Sequence, residues 1–327
     1  MIRRILYTRE TALFGVLVLL FLFFAWRVEY FLDPLGLLDR TPYWAITGLI
    51  ALPMTFIIAT SGIDLSVGSI VALCGVILGV LHQDLGIPIW FAALAAVLAG
   101  GIAGALNGGV SSYLGVPPLV VTLATMVLFR GIAMALSTAR GLSNFPQSFV
   151  DLLKGETFPI PIGNGMEAAL PIPLIVLLIA AFLAWLIMRK TRIGRYTEHI
   201  GENETAAAFA AIGVRRLKFG LYIACGLICG LAALFFVAQF KTAKANVAGG
   251  LELQAIACVV IGGTRISGGR ASILGTLFGL FIIGILTYGL ELADVPEYYA
   301  IIIVGGLLFV TAVFNEWMAR RQEGERE

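Results

Sequence analysis

Residues 1–26 read MIRRILYTRETALFGVLVLLFLFFAW, a basic start followed by an unbroken apolar run. A secretory signal peptide begins the same way, but it ends in a small-residue cleavage site. Here Trp26, Arg27 and Glu29 follow instead, so the run is expected to stay as a first membrane span. A helix needs roughly 20 apolar residues to cross the hydrocarbon layer. Ten candidate spans satisfy or approach that length: about 11–28, 42–61, 65–82, 87–111, 116–138, 170–188, 217–240, 253–264, 271–290 and 296–315. The third and eighth are short or interrupted by glycine. Without water, every backbone N–H and C=O must be satisfied internally, which favours helices. The strand alternation of a β-barrel is absent from the sequence.

Composition points the same way. The chain of 327 residues is 59% hydrophobic and 13% charged, with a mean hydropathy of +0.96. Soluble domains are about 45–50% apolar and about 25% charged. Lipid is therefore the expected solvent, and the expected class is an all-α polytopic membrane protein forming one domain over 1–327. A net charge of +2 gives no reason to expect a nucleic-acid partner. The four cysteines, Cys74, Cys225, Cys229 and Cys258, sit in apolar runs without a C-x-x-C pair, so they read as structural thiols.

Lys and Arg are distributed unevenly. With the N-terminus inside, ten spans put the C-terminus inside as well. Fifteen basic residues, Arg3 and Arg4 among them, then fall inside and six outside, with Arg130 within a span. The positive-inside rule supports both termini being cytoplasmic. Two long polar interruptions remain. Residues 139–169 are rich in Gly and Pro and fall outside; residues 189–218 are basic and fall inside.

An internal echo links GIDLSVGSIVALCG at 62–75 with GTRISGGRASILGTLFG at 263–279. Aligning Ser66 with Ser267 sets Asp64 opposite Arg265. Gly-broken helices in corresponding halves often mark a transporter's pathway. The inside loop is more specific. In GENETAAAFAAIG at 201–213, Asn203 is a good N-cap, Glu204 suits the first turn, and Ala206 and Ala207 favour helix. Gly213 is expected as the C-terminal stop. The expected product is a helix of two to three turns, either a plain linker or a surface that slides into a partner's groove.

Three separated stretches carry a family resemblance. GRYTEHIGENETAAAFAAIGV at 194–214 resembles the coupling-loop signature of permease subunits of ribose-type bacterial ABC sugar importers, a group that includes rhamnose and autoinducer-2 types. GIDLSVGS at 62–69 and GGTRISGGRASILGTLFG at 262–279 resemble its second and third signatures, and PPLVVTLATMVLFRGIA at 117–133 is also similar. Arg265 departs from the pattern, which usually has a small neutral residue there. The resemblance implies an inner-membrane permease driven by separate ABC ATPase subunits. It also implies a periplasmic sugar-binding protein and a second permease subunit, identical or paralogous. The coupling residues it implies are Gly201, Glu202, Asn203, Glu204, Ala206, Ala207 and Gly213.

The absences agree with that division of labour. There is no Walker A loop, so ATP and Mg belong to the partner. No nucleophile elbow, zinc-protease motif or metal-ligand cluster is present, and no catalytic or metal-binding residue is expected. Asp64 beside the break reads as a cap for the next helix or as a gate. Arg130 is costly inside a span, and must face protein or water or reach the surface. Ser66, Asn107, Thr122 and Arg265 complete the pathway candidates, and Ser111, Ser112 and Thr125 join Asn107 and Thr122 as polar side chains in or at the ends of spans. Their hydroxyls and amides suit a sugar, but equally bonds across helices. Gly100, Gly104 and Gly108 predict close helix packing. The rival reading, an ion-coupled secondary transporter, needs more ionisable groups at mid-membrane than this sequence supplies.

Overall fold

A computed structural model describes residues 9–163 and 166–324. Arg3 and Arg4 of the basic start lie outside them. Among the described residues the chain forms thirteen α-helices and one two-stranded hairpin. The helices are α1 (Arg9–Arg27), α2 (Pro34–Ala59), α3 (Val67–Gly79), α4 (Ile89–Tyr113), α5 (Pro118–Ser137) and α6 (Gln147–Lys154). After the hairpin come α7 (Ile172–Lys190), α8 (Arg192–Glu202), α9 (Glu204–Phe209), α10 (Val214–Phe240), α11 (Leu251–Ile261), α12 (Ile273–Leu292) and α13 (Glu297–Gly324).

All ten expected spans correspond to helices. Eight are long and apolar enough to cross a membrane, α3 being counted with the wider π turn Val80–Asp84 that extends it. The expected eighth span is only the eleven residues of α11. The tenth rests on the apolar run Tyr298–Val313 within α13. The polar interruption at 139–169 is more ordered than its composition suggests. It holds α6 and an antiparallel pair, β1 (Glu156–Gly163) and β2 (Met166–Pro171). Register shifts flank Pro159 and Pro161, which have no N–H to give the ladder.

α2 is the central post. It is buried continuously from Ala45 to Ala59, and α7, α10, α11 and α12 pack around it. Beside it, α4 and α10 make the most extensive helix pairing in the fold. The glycine ladder is the reason. A Cβ on Gly104 would stand 2.1 Å from the Tyr222 carbonyl oxygen, and one on Gly226 would stand 2.0 Å from that of Gly100. Small residues let the two backbones touch, which is how helices associate when lipid is as apolar as leucine. The four cysteines are free and buried in this core.

The continuous helices contrast with two breaks at one end of the bundle. α2 stops where Gly62 N–H donates to the Ile57 carbonyl (3.0 Å) and Ser61 N–H to that of Ile58 (2.9 Å), with Ser61 at φ +61°. α11 stops in the same way. Thr264 N–H donates to Val259 (3.2 Å) and Gly263 N–H to Val260 (3.0 Å), with Gly263 at φ +96°. These left-handed stops satisfy carbonyls that the helix leaves open. The echo seen in the sequence is thus built twice, one residue out of step with the alignment on Ser66 and Ser267.

Packing of α4 on α10 makes a testable claim. Gly226→Val should cost about 1–3 kcal/mol through overpacking, read as a lowered melting temperature in detergent. Gly220→Ala, where a Cβ meets nothing within 4 Å, should leave the melting temperature unchanged.

Candidate functional site

The end of the bundle that holds the breaks also carries α8 and α9. The sequence predicts one short helix here; the structure has two. Thr191 opens α8, its hydroxyl accepting from Ile193 N–H (3.2 Å), and Gly194, Thr197 and Ile200 form its buried face. Asn203 joins the pair: its Oδ1 accepts from Ala206 N–H at 2.9 Å, as expected of an N-cap.

α9 is shorter than expected, and Gly213 is not its stop. Ala211 takes the left-handed conformation (φ 59°), while Ile212 N–H donates to Ala207 and Ala211 N–H to Ala208, both at 3.1 Å. Apolar packing fixes this early stop. Ile212 joins Ile200, Ala207, Val214 and Leu217 in a small cluster that pulls the chain back onto α8 and α10. Gly213 instead precedes α10 at an ordinary φ of −73°. Glu204 pairs with Lys218 (2.6 Å), and Glu202 lies 3.8 Å from His199, both at the surface. Phe209, absent from the sequence reading, stands 89% exposed at the tip of α9. An aromatic ending an alanine run on a polar loop was the signal for it.

Gly201 makes the decisive contact. A Cβ there would lie 1.9 Å from the Ala59 carbonyl oxygen and 2.3 Å from the Gly269 nitrogen. Gly269 N–H itself donates to Ala59 at 3.0 Å, and the Ser61 hydroxyl donates to the Ser267 carbonyl at 2.7 Å. The two breaks are therefore bonded to each other, and α8 rests on the bond.

Behind the first break lies a buried polar chain. Asp64 Oδ1 accepts from the Ser66 N–H (2.8 Å) and hydroxyl (2.6 Å). Asn107 Nδ2 donates to Ser66 Oγ, and the Thr125 hydroxyl donates to Asn107 Oδ1, both at 2.7 Å. Thr122 donates to the Ile63 carbonyl at 3.2 Å. Asp64 thus shapes the break instead of capping the first turn of α3, which has no side-chain cap. Asp64, Ser66, Asn107 and Thr122 come together here, tying α3, α4 and α5 about 9 Å inside the end of α4, at 1.5 Å per residue. Arg265 lies apart, half-buried in the second break, where its N–H donates to the Arg270 carbonyl.

Arg130 is also apart, half-buried, with its guanidinium turned to protein carbonyls. Its Nη1 donates to the Ala245 carbonyl (2.6 Å) and to the Val247 carbonyl (2.5 Å). Residues 241–250 form a strap that folds back into the bundle before α11 begins. Where the strap meets α11, Gly249, Gly250 and Leu251 border a cavity of about 800 Å³. The Arg40–Glu291 ion pair (2.6 Å) stands at its mouth, at the end of the bundle far from α8 and α9.

The buried chain predicts a cost. Asn107→Leu removes two buried hydrogen bonds, leaving the Ser66 hydroxyl to Asp64 and the Thr125 hydroxyl to the Val121 carbonyl, and the loss of the two costs about 1–3 kcal/mol. The measurement is thermal melting of the purified protein, with Ser148→Ala, on the exposed side of α6, as a near-neutral comparison.

Comparison with known proteins follows that geometry. Residues 38–312 match the family described as branched-chain amino acid transport system / permease component. The autoinducer 2 import system permease protein LsrD of Escherichia coli (strain K12) is 36% identical, over 97% of this chain and 98% of that protein. The LsrD proteins of Shigella flexneri and Escherichia coli O157:H7 are similar to the same extent. No solved structure matches.

Proposed function

The chain belongs to the branched-chain amino acid transport system / permease component family, and from that premise we propose that it imports a monosaccharide or sugar-like solute as the permease subunit of a binding-protein-dependent ABC transporter. Autoinducer 2, named for the LsrD relatives, is the first solute to try. The chain supplies the path across the membrane. Separate ABC ATPase subunits hold ATP and Mg, a periplasmic binding protein delivers the solute, and a second permease subunit completes the pair. The charge bias in the sequence supports an inner-membrane orientation with both termini in the cytoplasm.

One observation carries this reading: α8 touches both helix breaks at once through Gly201. A force on α8–α9 reaches Ala59 and Gly269 without passing through a flexible side chain. Phe209 supplies the grip. A large apolar side chain exposed on a loop of a membrane protein, away from its apolar spans, fits a hydrophobic groove on an ATPase. Aromatic anchors of that kind carry much of the energy of an interface.

The test is purification of the complex from its native host through a tag on this chain. An ATPase subunit should co-purify and be identified by mass spectrometry. Phe209→Asp should reduce its recovery about tenfold or more, with the permease's own melting temperature unchanged. Absence of any ATPase with the unaltered chain, together with uptake driven by an ion gradient alone, would overturn the proposal.

A further inference from the structure

α3 and α11 both begin inside the bundle, and their first turns meet. A Cβ on Gly68 would stand 2.3 Å from Glu252 Oε2 and 2.5 Å from the Ala248 carbonyl oxygen. Glu252 lies nine residues from Ile261, so the meeting point is about 14 Å above the end of α11 at 1.5 Å per residue. That is near the middle of a hydrocarbon layer of about 30 Å. In transporters, interrupted helices that start at mid-depth build solute sites, because their free N–H groups and loosened backbone face the path.

The charges at this junction are only half used. Glu252 Oε1 accepts from Gly250 N–H at 3.1 Å. Its Oε2 is buried and has no hydrogen-bond donor among the described residues. Arg130 reaches the junction from α5 through the strap: its Nη1 holds the carbonyls of Ala245 and Val247, and the next carbonyl, that of Ala248, lies with Glu252 Oε2 against Gly68. A buried carboxylate oxygen without a donor is expensive as packing alone. An intramembrane ionisable pair is by default a functional group. The strap ends at Gly249 and Gly250, which border the cavity of about 800 Å³.

We propose that Glu252 and Arg130 form a solute-contact site at mid-depth, taking a neutral polyhydroxylated molecule. The Glu252 Oε2 accepts a solute hydroxyl, and the Arg130 guanidinium donates to a neighbouring oxygen once the strap shifts. This rests on the importer reading above and adds to it where the solute is touched. A carboxylate with an arginine recognises adjacent hydroxyls by one acceptor and one donor, and the pair offers no net charge to attract an ion.

Glu252→Gln tests the site with little disturbance of the fold. The amide keeps one oxygen to accept from Gly250 N–H and loses the second acceptor. The complete complex is reconstituted in proteoliposomes with its binding protein, and uptake of labelled autoinducer 2 is measured against concentration. Glu252→Gln should lower uptake about tenfold or more, the loss of one hydrogen bond to a charged acceptor. ATP hydrolysis stimulated by the binding protein should persist, the melting temperature should hold, and Glu252→Asp should recover part of the uptake. Unaltered uptake in Glu252→Gln overturns the site. So does a loss of uptake that is accompanied by lost hydrolysis and a lowered melting temperature, which marks a structural role. If the unaltered complex takes up no autoinducer 2, both the importer reading for this solute and the site that depends on it fail, a result distinct from either.

Discussion

The hydrogen bond from Gly269 N–H to the Ala59 carbonyl, 3.0 Å long, joins the two places where this bundle interrupts its helices. A membrane gives broken helices no water to bond, so each break must find its partners in protein. Here the breaks find them in each other and in the polar chain from Asp64 to Thr125. The consequence is positional. Two segments about 200 residues apart in sequence are fixed within one backbone bond, and Gly201 can rest on that bond only because it has no side chain.

That arrangement divides the molecule into a stiff part and a part with a choice. The stiff part is α2, buried over its inner half, and the α4–α10 pair locked by glycine contacts. A close-packed interface of this kind does not deform continuously. The strap at 241–250 is different. It is held by two carbonyl bonds from a single guanidinium, one bond to Glu252, and the short bridge between Leu142 and Ala243. Three of those ties run through the side chains of Arg130 and Glu252, which rotate more freely than the backbone bond between Gly269 and Ala59.

Much of this was legible in the sequence, for physical reasons. Spans are long, and lipid imposes one rule on all of them, so each of the ten stretches read as spans falls on a helix, eight of them long and apolar enough to cross. The glycine ladder at Gly100, Gly104 and Gly108 was readable because its spacing has one structural meaning. Asn203 was readable as a cap because capping is local. The misses are non-local. Gly213 looked like the stop of α9, but a cluster with Ile200 and Leu217 set the stop at Ala211. α8 was hidden although it is amphipathic: Gly194, Thr197 and Ile200 recur at helical spacing on its buried face, but they lie in a charged loop whose alanine run drew the helix reading. Glu252 drew no notice because it sits in the first turn of a helix, an ordinary place for an acid. Only the approach of Gly68 from another helix shows what that carboxylate faces. Arg130 was visibly unusual from its cost, yet its partners are backbone carbonyls more than 100 residues away. No spacing rule finds those.

The path between the two charged features is short and nearly continuous. Gly201 rests on Ala59; from Ala59 the break runs through Ser61, Ile63, Asp64 and Ser66 to Gly68; Gly68 meets Glu252. Each step along it is bonded to a helix that the next step does not use: Ser61 to the second break, Ile63 to α5, Ser66 to α4. A segment tied at so many points moves as a unit or not at all. Displacing it therefore carries Gly68 against the Glu252 carboxylate, and the strap behind Glu252 must answer. Residues 60–66 are a non-helical stretch of turns, whose polar groups must find partners in protein. A continuous helix there would satisfy its own backbone bonds and would have none to offer to its neighbours.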